Sequence, residues 1–216
     1  MTDPLIDPTT KPPLSTIDPR FAHLRGSFDA VVVGTSAGGV LALKEILPTL
    51  PATFSLPLVI VLHLPPDKKS LLPGMFASWC EIAVREVEDH EAISAGIYFA
   101  PPGYHVVVDN KHRLGLTLDE PVNWSRPSID VLFESAATVF GARLLCVLLT
   151  GASSDGASGC ETVRAYGGCV VVQTPATAAS DAMPLSALAR LVPDHTLDLA
   201  DIAALMSAAG APAPGA

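Results

Sequence analysis

A serine in a glycine-rich turn is the first residue of this sequence that could do chemistry. Ser36 lies in the run Gly-Thr-Ser-Ala-Gly-Gly (residues 34–39), which follows the β-branched stretch 30–33 and precedes a helical pattern. A serine on a sharp strand-to-helix turn is held clear of the sheet, and the positive end of the following helix faces any oxyanion formed there. The spacing therefore predicts a nucleophile. The turn could instead cradle a phosphate, because glycine-rich turns before helices also bind phosphates.

A histidine and an aspartate follow two further predicted strands. His63 ends the apolar run 57–62, and Asp155 comes shortly after the run 144–149. The carboxyl ends of parallel strands meet at one edge of a sheet, so both residues are expected near Ser36. A neutral imidazole can take the serine proton, and a carboxylate on its other nitrogen fixes the tautomer. Taken singly, His63 could be a strand-end histidine bonded to backbone, and Asp155 could cap the helix that starts near residue 156.

The chain order of these three residues points to a particular family. Ser, His, Asp is not the Ser, Asp, His order of α/β-hydrolases. The sequence resembles the catalytic domain of the bacterial chemotaxis protein-glutamate methylesterases (CheB type), in which this order occurs on a Rossmann-like sheet. The resemblance begins at Ala30 and covers ordered blocks along the chain, which are residues 34–39, 61–66, 96–103, 126–133, 149–151, 155–157 and 183–184. Several blocks in order are far more specific than one serine turn.

The resemblance assigns a role to each member of the site. It implies that Ser36 is the nucleophile, His63 the general base and Asp155 the carboxylate that orients the base. It also implies that backbone amides of His63 and Ala152 bind the oxyanion. The family usually has methionine where this chain has Ala152, so the amide is kept but a side chain that could wall the pocket is absent.

Substrate contacts are also implied by the resemblance, and they fall on Ala37, Arg126 and Met183. The family often has threonine where this chain has Ala37, so a hydroxyl that could form a hydrogen bond is absent. Arg126 could contact an anionic region of the substrate. The blocks around Arg126 and Met183 flank the mouth of the site, and an open rim would suit a macromolecular substrate.

Two classes of function follow. The resemblance implies a serine esterase that hydrolyses glutamate γ-methyl esters on the cytoplasmic domains of methylated chemoreceptors, releases methanol, and also deamidates receptor glutamines. The alternative is a non-catalytic signalling or nucleotide-binding module that uses the turn 34–39 as a phosphate cradle. His63 and Asp155 favour the esterase, because a cradle needs neither a base nor an orienting acid. The Lys-Ser/Thr pair of a P-loop is also absent from the turn.

Alternating apolar runs and helical patterns predict a three-layer α/β fold. We expect a Rossmann-like, doubly wound, mainly parallel sheet, with a β-hairpin added over residues 105–118. Residues 1–27 contain four Asp-Pro or Pro-Pro pairs and are predicted to be a flexible leader. Residues 28–207 then form the catalytic domain, and 208–216 a flexible tail. Family members usually carry an N-terminal receiver domain. The leader is too short for one, so the chain is expected to be an orphan esterase, an excised domain, or an enzyme regulated by a partner in trans.

Composition restricts the partners. The net charge is −9 with 13 Lys and Arg residues spread along the chain, which argues against a nucleic-acid partner. No apolar run reaches about 18 residues and no signal segment is evident, so we expect no membrane insertion and a cytoplasmic location. The four cysteines form no C-x-x-C pair, and neither a metal nor another cofactor is predicted.

A few other residues invite a functional interpretation. His105 lies in the predicted hairpin and is expected at the surface. Trp79 and Trp124 are predicted to be packing residues rather than substrate platforms. Asp130 could cap or orient the helix that follows residue 128, or it could line the mouth of the pocket.

Overall fold

The computed structural model describes residues 17–64 and 70–212. The strands are β1 (Ala30–Thr35), β2 (Pro57–Leu62), β3 (Val84–Glu86), β4 (Gly96–Phe99), β5 (His105–Asn110), β6 (Arg113–Thr117), β7 (Leu144–Leu148), β8 (Cys169–Gln173) and β9 (His195–Leu197). The α-helices are α1 (Gly39–Ile46), α2 (Leu72–Ala77), α3 (Ile129–Phe140), α4 (Ala157–Ala165), α5 (Ala182–Leu188) and α6 (Leu199–Ala209). Pro65 and Pro66, which belong to one of the family-like blocks, lie outside the described residues.

The described residues form a seven-stranded sheet in the order β3-β4-β2-β1-β7-β8-β9. Every neighbouring pair is parallel, and β1 lies between β2 and β7. The chain first moves from β1 toward β3 and later returns to the other side of β1, so the strand order reverses between β1 and β7. In such sheets the crevice at the carboxyl ends of the strands beside this reversal is the usual ligand site.

The central strands are buried along their whole length, which agrees with their continuous runs of valine, leucine and isoleucine. Successive side chains along a strand point to opposite faces of the sheet. Val31 and Val33 pack in one apolar cluster with α1 and α6, whereas Val32 packs in a second cluster with α3 and α4. The sheet thus has a layer of helices on each side, and the predicted three-layer α/β fold is confirmed.

A separate antiparallel hairpin formed by β5 and β6 lies beside α3. The Val108 N–H donates a hydrogen bond to the Ser135 hydroxyl of α3 at 3.1 Å. The hairpin predicted over residues 105–118 is therefore present, with its turn at residues 111 and 112. Its first strand begins at His105, which helps to hold the start of α3, as described below.

The flexible leader predicted over residues 1–27 extends too far toward the C-terminus. Residues 1–16 lie outside the described part of the chain, but Phe21 and Leu24 are buried in the cluster that contains α1 and α6. The Arg20 guanidinium also bonds to the Asp201 carboxylate of α6 at 2.6 Å. The prediction is wrong for these residues because two apolar side chains in a short turn, without visible periodicity, are enough to dock it.

The predicted flexible tail likewise begins too early. Ala208 and Ala209 belong to α6 and are buried. The carbonyl oxygen of Gly210 accepts a hydrogen bond from the Ser55 N–H at 2.9 Å, and that of Pro212 accepts one from the Arg25 guanidinium at 2.7 Å. The small-residue composition of this segment suits close helix packing rather than fraying. Residues 213–216 lie outside the described part.

Replacing Phe21 with alanine is expected to lower the melting temperature by roughly 10 °C. The ring packs in the core and meets the His195 imidazole edge-on, with 6.1 Å between ring centroids. Loss of a buried phenyl ring costs about 3 kcal/mol, which corresponds to a shift of this size in a domain of this length. Thermal unfolding followed by circular dichroism measures it. His23→Ala, an exposed change in the same turn, is the control, and equal melting temperatures for both variants would contradict the docking of Phe21.

Candidate active site

Ser36, His63 and Asp155 lie at the same edge of the sheet. Ser36 directly follows β1 and His63 directly follows β2, while Asp155 lies in the loop between β7 and α4. His63 Nε2 is 2.8 Å from Asp155 Oδ2. The His63 side chain is 15% exposed and that of Asp155 is fully buried, so the imidazole can meet solvent or substrate and the carboxylate cannot.

The turn that carries Ser36 is held from both sides by Thr150. The Ser36 N–H donates to the Thr150 carbonyl oxygen at 3.0 Å, and the Thr150 hydroxyl donates to the carbonyl oxygen of Ala37 at 2.8 Å. Gly38 then adopts φ 82°, and a Cβ at that position would lie 2.5 Å from the Cβ of Ala179. Only glycine fits this left-handed, crowded position, which explains the glycine that the sequence places two residues after the serine.

The imidazole has one nitrogen left for Ser36. Asp155 engages Nε2, so Nδ1 is the nitrogen that can take the serine proton. Within the described part of the chain, no hydrogen bond joins the Ser36 hydroxyl to His63. Catalytic hydrogen bonds of this kind are often long without substrate and tighten in the complex.

Asp155 is surrounded by donors on both of its oxygens. The donors are Ser128 Oγ at 2.8 Å, Asn123 Nδ2 at 3.0 Å and the Asp130 N–H at 3.2 Å to Oδ1, and His63 Nε2 at 2.8 Å and the Ile129 N–H at 2.7 Å to Oδ2. Burial by itself raises the pKa of this carboxyl, but the hydrogen bonds from His63, Asn123, Ile129 and Ser128 outweigh it, so the pKa lies below its usual value. The side chain is therefore held as an anion.

Two of these donors are backbone amides at the start of α3, a 12-residue helix. The free N–H groups and the positive end of a helix stabilise a carboxylate there. The alternative role of Asp155 as a cap of the following helix is not what the structure shows. The N-cap of α4 is Gly156, which has no side chain to bond to the helix, and the Asp155 carboxylate faces α3 instead.

The two amides predicted to bind an oxyanion differ in their surroundings. The His63 N–H donates to the Thr35 carbonyl oxygen across the sheet, at a long 3.3 Å. Ala152 is exposed, and its N–H has no acceptor within the described residues. Ala37 and Gly38 add two N–H groups with no acceptor in the described part of the chain, directly before α1. The resemblance implies only the amides of His63 and Ala152, although the place of Ala37 and Gly38 between the serine and the helix signals two further candidate donors.

A cavity of about 330 Å³ adjoins His63. It is lined by His63, Leu64, Pro121, Trp124, Ser125, Arg126 and Pro127. Arg126 Nη1 donates to the carbonyl oxygens of Leu118 and Asp119, both at 3.0 Å, while the buried Nε has no partner within the described residues. The guanidinium is thus anchored through Nη1 to the backbone of residues 118 and 119, and Arg126 lines the cavity.

The other predicted substrate contacts are placed differently. Ala37 is exposed beside Ser36. Met183 is fully buried in the apolar cluster with α3 and α4. A Cβ on Gly151 would lie 2.5 Å from Met183 Cε, so the methionine fills the space under the loop that follows β7. Met183 as a substrate contact is wrong in this structure, because its side chain meets only the protein interior.

Trp124 and His105 are also placed against expectation. Trp124 is fully exposed at the rim of the cavity, not packed in the interior. His105 is buried: Nδ1 accepts a hydrogen bond from the Ser128 N–H at 3.1 Å, and Nε2 donates to the Glu120 carbonyl oxygen at 3.2 Å. This pattern fixes the neutral tautomer with its proton on Nε2. His105 therefore supports Ser128, which in turn bonds to Asp155.

Asp130 is buried behind the site rather than at its mouth. Its Oδ1 accepts a hydrogen bond from the Gly159 N–H of α4 at 2.6 Å, and its Oδ2 accepts one from Asn123 Nδ2 at 2.7 Å. Burial raises the pKa of this carboxyl to about 6, the negative charges of Asp155 and Glu134 add to the rise, and the two hydrogen bonds oppose it. Of the two roles considered from the sequence, orienting α3 agrees with these contacts.

No group of three or more His, Cys, Asp or Glu side chains is arranged to hold a metal ion within residues 17–64 and 70–212. In the same residues, each helix is too short or too polar to traverse a lipid bilayer.

Comparison with known proteins gives consistent matches. The family model described as CheB methylesterase matches residues 31–206. A Leptospira interrogans protein, whose name gives protein-glutamate methylesterase and protein-glutamine glutaminase activities, is 43% identical over 180 residues, covering 83% of this chain and 93% of that protein. A Thermotoga maritima protein with the same two activities in its name is 32% identical over 199 residues, and the match covers 57% of it. The crystal structure of the Thermotoga maritima CheB methylesterase catalytic domain is similar, with a TM-score of 0.79 and 32% identity, covering 84% of this chain and 98% of that one.

Proposed function

Because the chain belongs to the CheB methylesterase family, we propose that it is a serine esterase that hydrolyses glutamate γ-methyl esters on a protein and releases methanol. The observation that supports this most directly is the 2.8 Å contact between His63 and the buried Asp155, at the sheet edge that also carries Ser36. A phosphate cradle would use the glycine turn and α1 but would have no role for a base with an orienting carboxylate.

The reaction proceeds by acyl transfer. Ser36 Oγ attacks the ester carbonyl carbon while His63 takes the hydroxyl proton, and the carbonyl oxygen becomes an oxyanion. Collapse of this intermediate breaks the bond to the methoxy oxygen, which receives the proton from His63 and leaves as methanol. Water then attacks the acyl-enzyme while His63 takes one of its protons, and collapse of this second intermediate breaks the bond to Ser36 Oγ, which receives that proton from His63. The products are a glutamate carboxylate and free Ser36.

The oxyanion needs N–H donors that are not already bonded within the protein. The amides of Ala37, Gly38 and Ala152 have no acceptor within the described residues, and the first two also lie at the positive end of α1. We assign the oxyanion to these amides in addition to His63, whose N–H is shared with Thr35. Oriented donors of this type are each worth about 10²-fold or more in rate.

The same steps act on a glutamine side chain, since ammonia can replace methanol as the leaving group. Protonation of the leaving nitrogen by His63 is then required, because an amide anion does not leave. The names of the relatives include this glutaminase activity. We therefore include deamidation of protein glutamines in the proposed function.

We propose that the protein substrate is the cytoplasmic domain of a methylated chemoreceptor. The test is to incubate the enzyme with chemoreceptor cytoplasmic fragments carrying radiolabelled methyl esters and to measure volatile methanol, with Ser36→Ala as the control. Release that requires Ser36 supports the proposal. If small acyl esters turn over and methylated receptor fragments release no methanol, the chain is a serine esterase with a different substrate.

Replacing Trp124 with alanine is expected to raise KM for the protein substrate about tenfold and to leave the hydrolysis of p-nitrophenyl acetate within twofold. The exposed indole stands at the rim of the cavity beside His63, where only a large substrate can bury it. Aromatic contacts of this kind commonly contribute more than 1 kcal/mol to binding. Tyr166→Ala, which removes an exposed aromatic ring after α4, is the matched control. An equal loss of activity toward the protein substrate and toward p-nitrophenyl acetate would contradict a contact between Trp124 and the protein substrate.

A further inference from the structure

One side-chain amide lies between two buried carboxylates behind the imidazole. Asn123 Nδ2 donates to Asp155 Oδ1 at 3.0 Å and to Asp130 Oδ2 at 2.7 Å. Asp155 and Asp130 are both buried, and they belong to different elements, the loop after β7 and the first turn of α3. A single nitrogen therefore links the orienting carboxylate of the site to a second carboxylate that has no contact with His63.

The backbone around Asn123 is shaped to present this amide. Asn123 has φ 50°, a left-handed conformation that asparagine tolerates better than most residues. Val122 and Ser125 close the turn with reciprocal backbone hydrogen bonds, from the Val122 N–H at 3.2 Å and from the Ser125 N–H at 2.9 Å. The residue as a whole is exposed, yet its side chain reaches the buried carboxylates.

The electrostatics of the pair require a donor at this point. Two carboxylates in a buried site repel each other, and one of them tends to protonate. Burial and the charge of Asp155, opposed by the hydrogen bonds from Gly159 and Asn123, raise the pKa of Asp130 to about 6, so Asp130 is ionised at pH 8 and increasingly protonated below pH 6. The other titratable groups near Asp130 are Glu134 on α3 and the buried Cys146 thiol on β7, whose pKa is raised by burial.

We propose, on the basis of the esterase function above, that Asn123 is a positioning residue of the active site. Its amide allows Asp155 and Asp130 to be ionised side by side and keeps Asp155 Oδ2 directed at His63. It acts through Asp155 and touches no reacting atom. The Ser, His and Asp roles leave Asn123 without a part.

The pH dependence follows from Asp130. Without the Asn123 amide, Asp130 is largely protonated at pH 6 and carries little charge to repel Asp155, so little is lost at that pH. At pH 8 a larger fraction of Asp130 is ionised, and its charge then repels Asp155 without the amide between them. We expect Asn123→Gly to lower the rate of Ser36 labelling by a fluorophosphonate about threefold at pH 6 and about thirtyfold at pH 8. Glycine is used because it accepts the positive φ without strain.

A second substitution tests the mechanism itself. In Asn123→Gly with Asp130→Asn, the new amide oxygen can accept the Gly159 N–H, and the neutral side chain removes the charge that repels Asp155. We expect the double variant to recover to within about threefold of wild type at pH 8 and to lose the extra pH dependence. Asn110→Gly, the same change at the end of β5, is the matched control.

The experiment measures labelling rates and p-nitrophenyl acetate kinetics for wild type, Asn123→Gly, the double variant and Asn110→Gly. Circular dichroism checks that each protein is folded. A loss confined to kcat that grows with pH and is recovered in the double variant supports the proposal. Labelling within twofold of wild type in Asn123→Gly at pH 8, or a double variant as slow as the single one, overturns it. Wild-type protein that is not labelled at all would instead remove the esterase function on which the proposal rests.

Discussion

Replacing Ser36 with alanine will abolish fluorophosphonate labelling of the protein and lower ester hydrolysis about 10⁶-fold, to the level of uncatalysed reaction plus residual binding. The expected effect is this large because, in the proposed mechanism, the hydroxyl at the end of β1 is the group that forms the acyl-enzyme. Peptide mapping of the labelled wild-type protein is expected to identify Ser36 alone.

Two further variants separate nucleophilicity from general damage. His63→Gln is expected to reduce labelling sharply, because the amide cannot take the serine proton. Ser78→Ala, which removes an exposed hydroxyl at the end of α2, is expected to label like wild type. If folded wild-type protein stays unlabelled at high reagent concentration, the nucleophile assignment is wrong and the glycine turn gains its alternative role as a phosphate cradle.

The fold and the triad positions could be predicted because their signals are local. The runs that became β1, β2 and β7 are continuous and rich in β-branched residues, which is typical of strands buried on both faces. Once parallel strands are predicted, their carboxyl ends must share an edge, and this places Ser36 near His63 without knowledge of the strand order. The glycine two residues after the serine is also explained locally, since the backbone at Gly38 has a positive φ that favours glycine.

The contacts that hold Asp155 could not be predicted, because they depend on long-range packing. The Ile129 N–H is 26 residues from Asp155 in sequence, and Asn123 is 32 residues away. Nothing in the spacing shows that the start of α3 faces the loop after β7. A sequence pattern also cannot distinguish a methionine that fills a core gap, like Met183, from one at a pocket wall. Single apolar residues such as Phe21 likewise give no periodic signal.

These hidden contacts change how the site is understood. Asp155 holds two parts of the structure at once, since its Oδ2 bonds to His63 and also accepts a hydrogen bond from the first N–H of α3. A change at this position therefore affects catalysis and local structure together. The effects on structure and on catalysis can be separated. Loss of the acceptor for one amide lowers the free energy of unfolding by only about 1 to 3 kcal/mol, whereas loss of the correct histidine tautomer lowers the reaction rate and leaves stability unchanged.

Asp155→Asn is expected to lower kcat by up to about 10⁴-fold while the protein remains folded. The asparagine oxygen will take the Oδ1 position, where Ser128, Asn123 and the Asp130 N–H all donate. Its Nδ2 then faces His63 Nε2 and donates to it. The imidazole proton is thereby moved to Nδ1, the nitrogen that must be free to take the proton of the nucleophile.

The measurement is p-nitrophenyl acetate hydrolysis and the fluorophosphonate labelling rate of Asp155→Asn, alongside thermal unfolding. Asp29→Asn is the matched control, since Asp29 is a hydrogen-bonded carboxylate at the opposite, amino end of β1, where it pairs with Arg143. We expect the melting temperature of Asp155→Asn to fall by a few degrees, because the Ile129 N–H loses its acceptor. A rate within about threefold of wild type, with that same fall in melting temperature, would show that Asp155 only anchors the start of α3, and that His63 is oriented by other means.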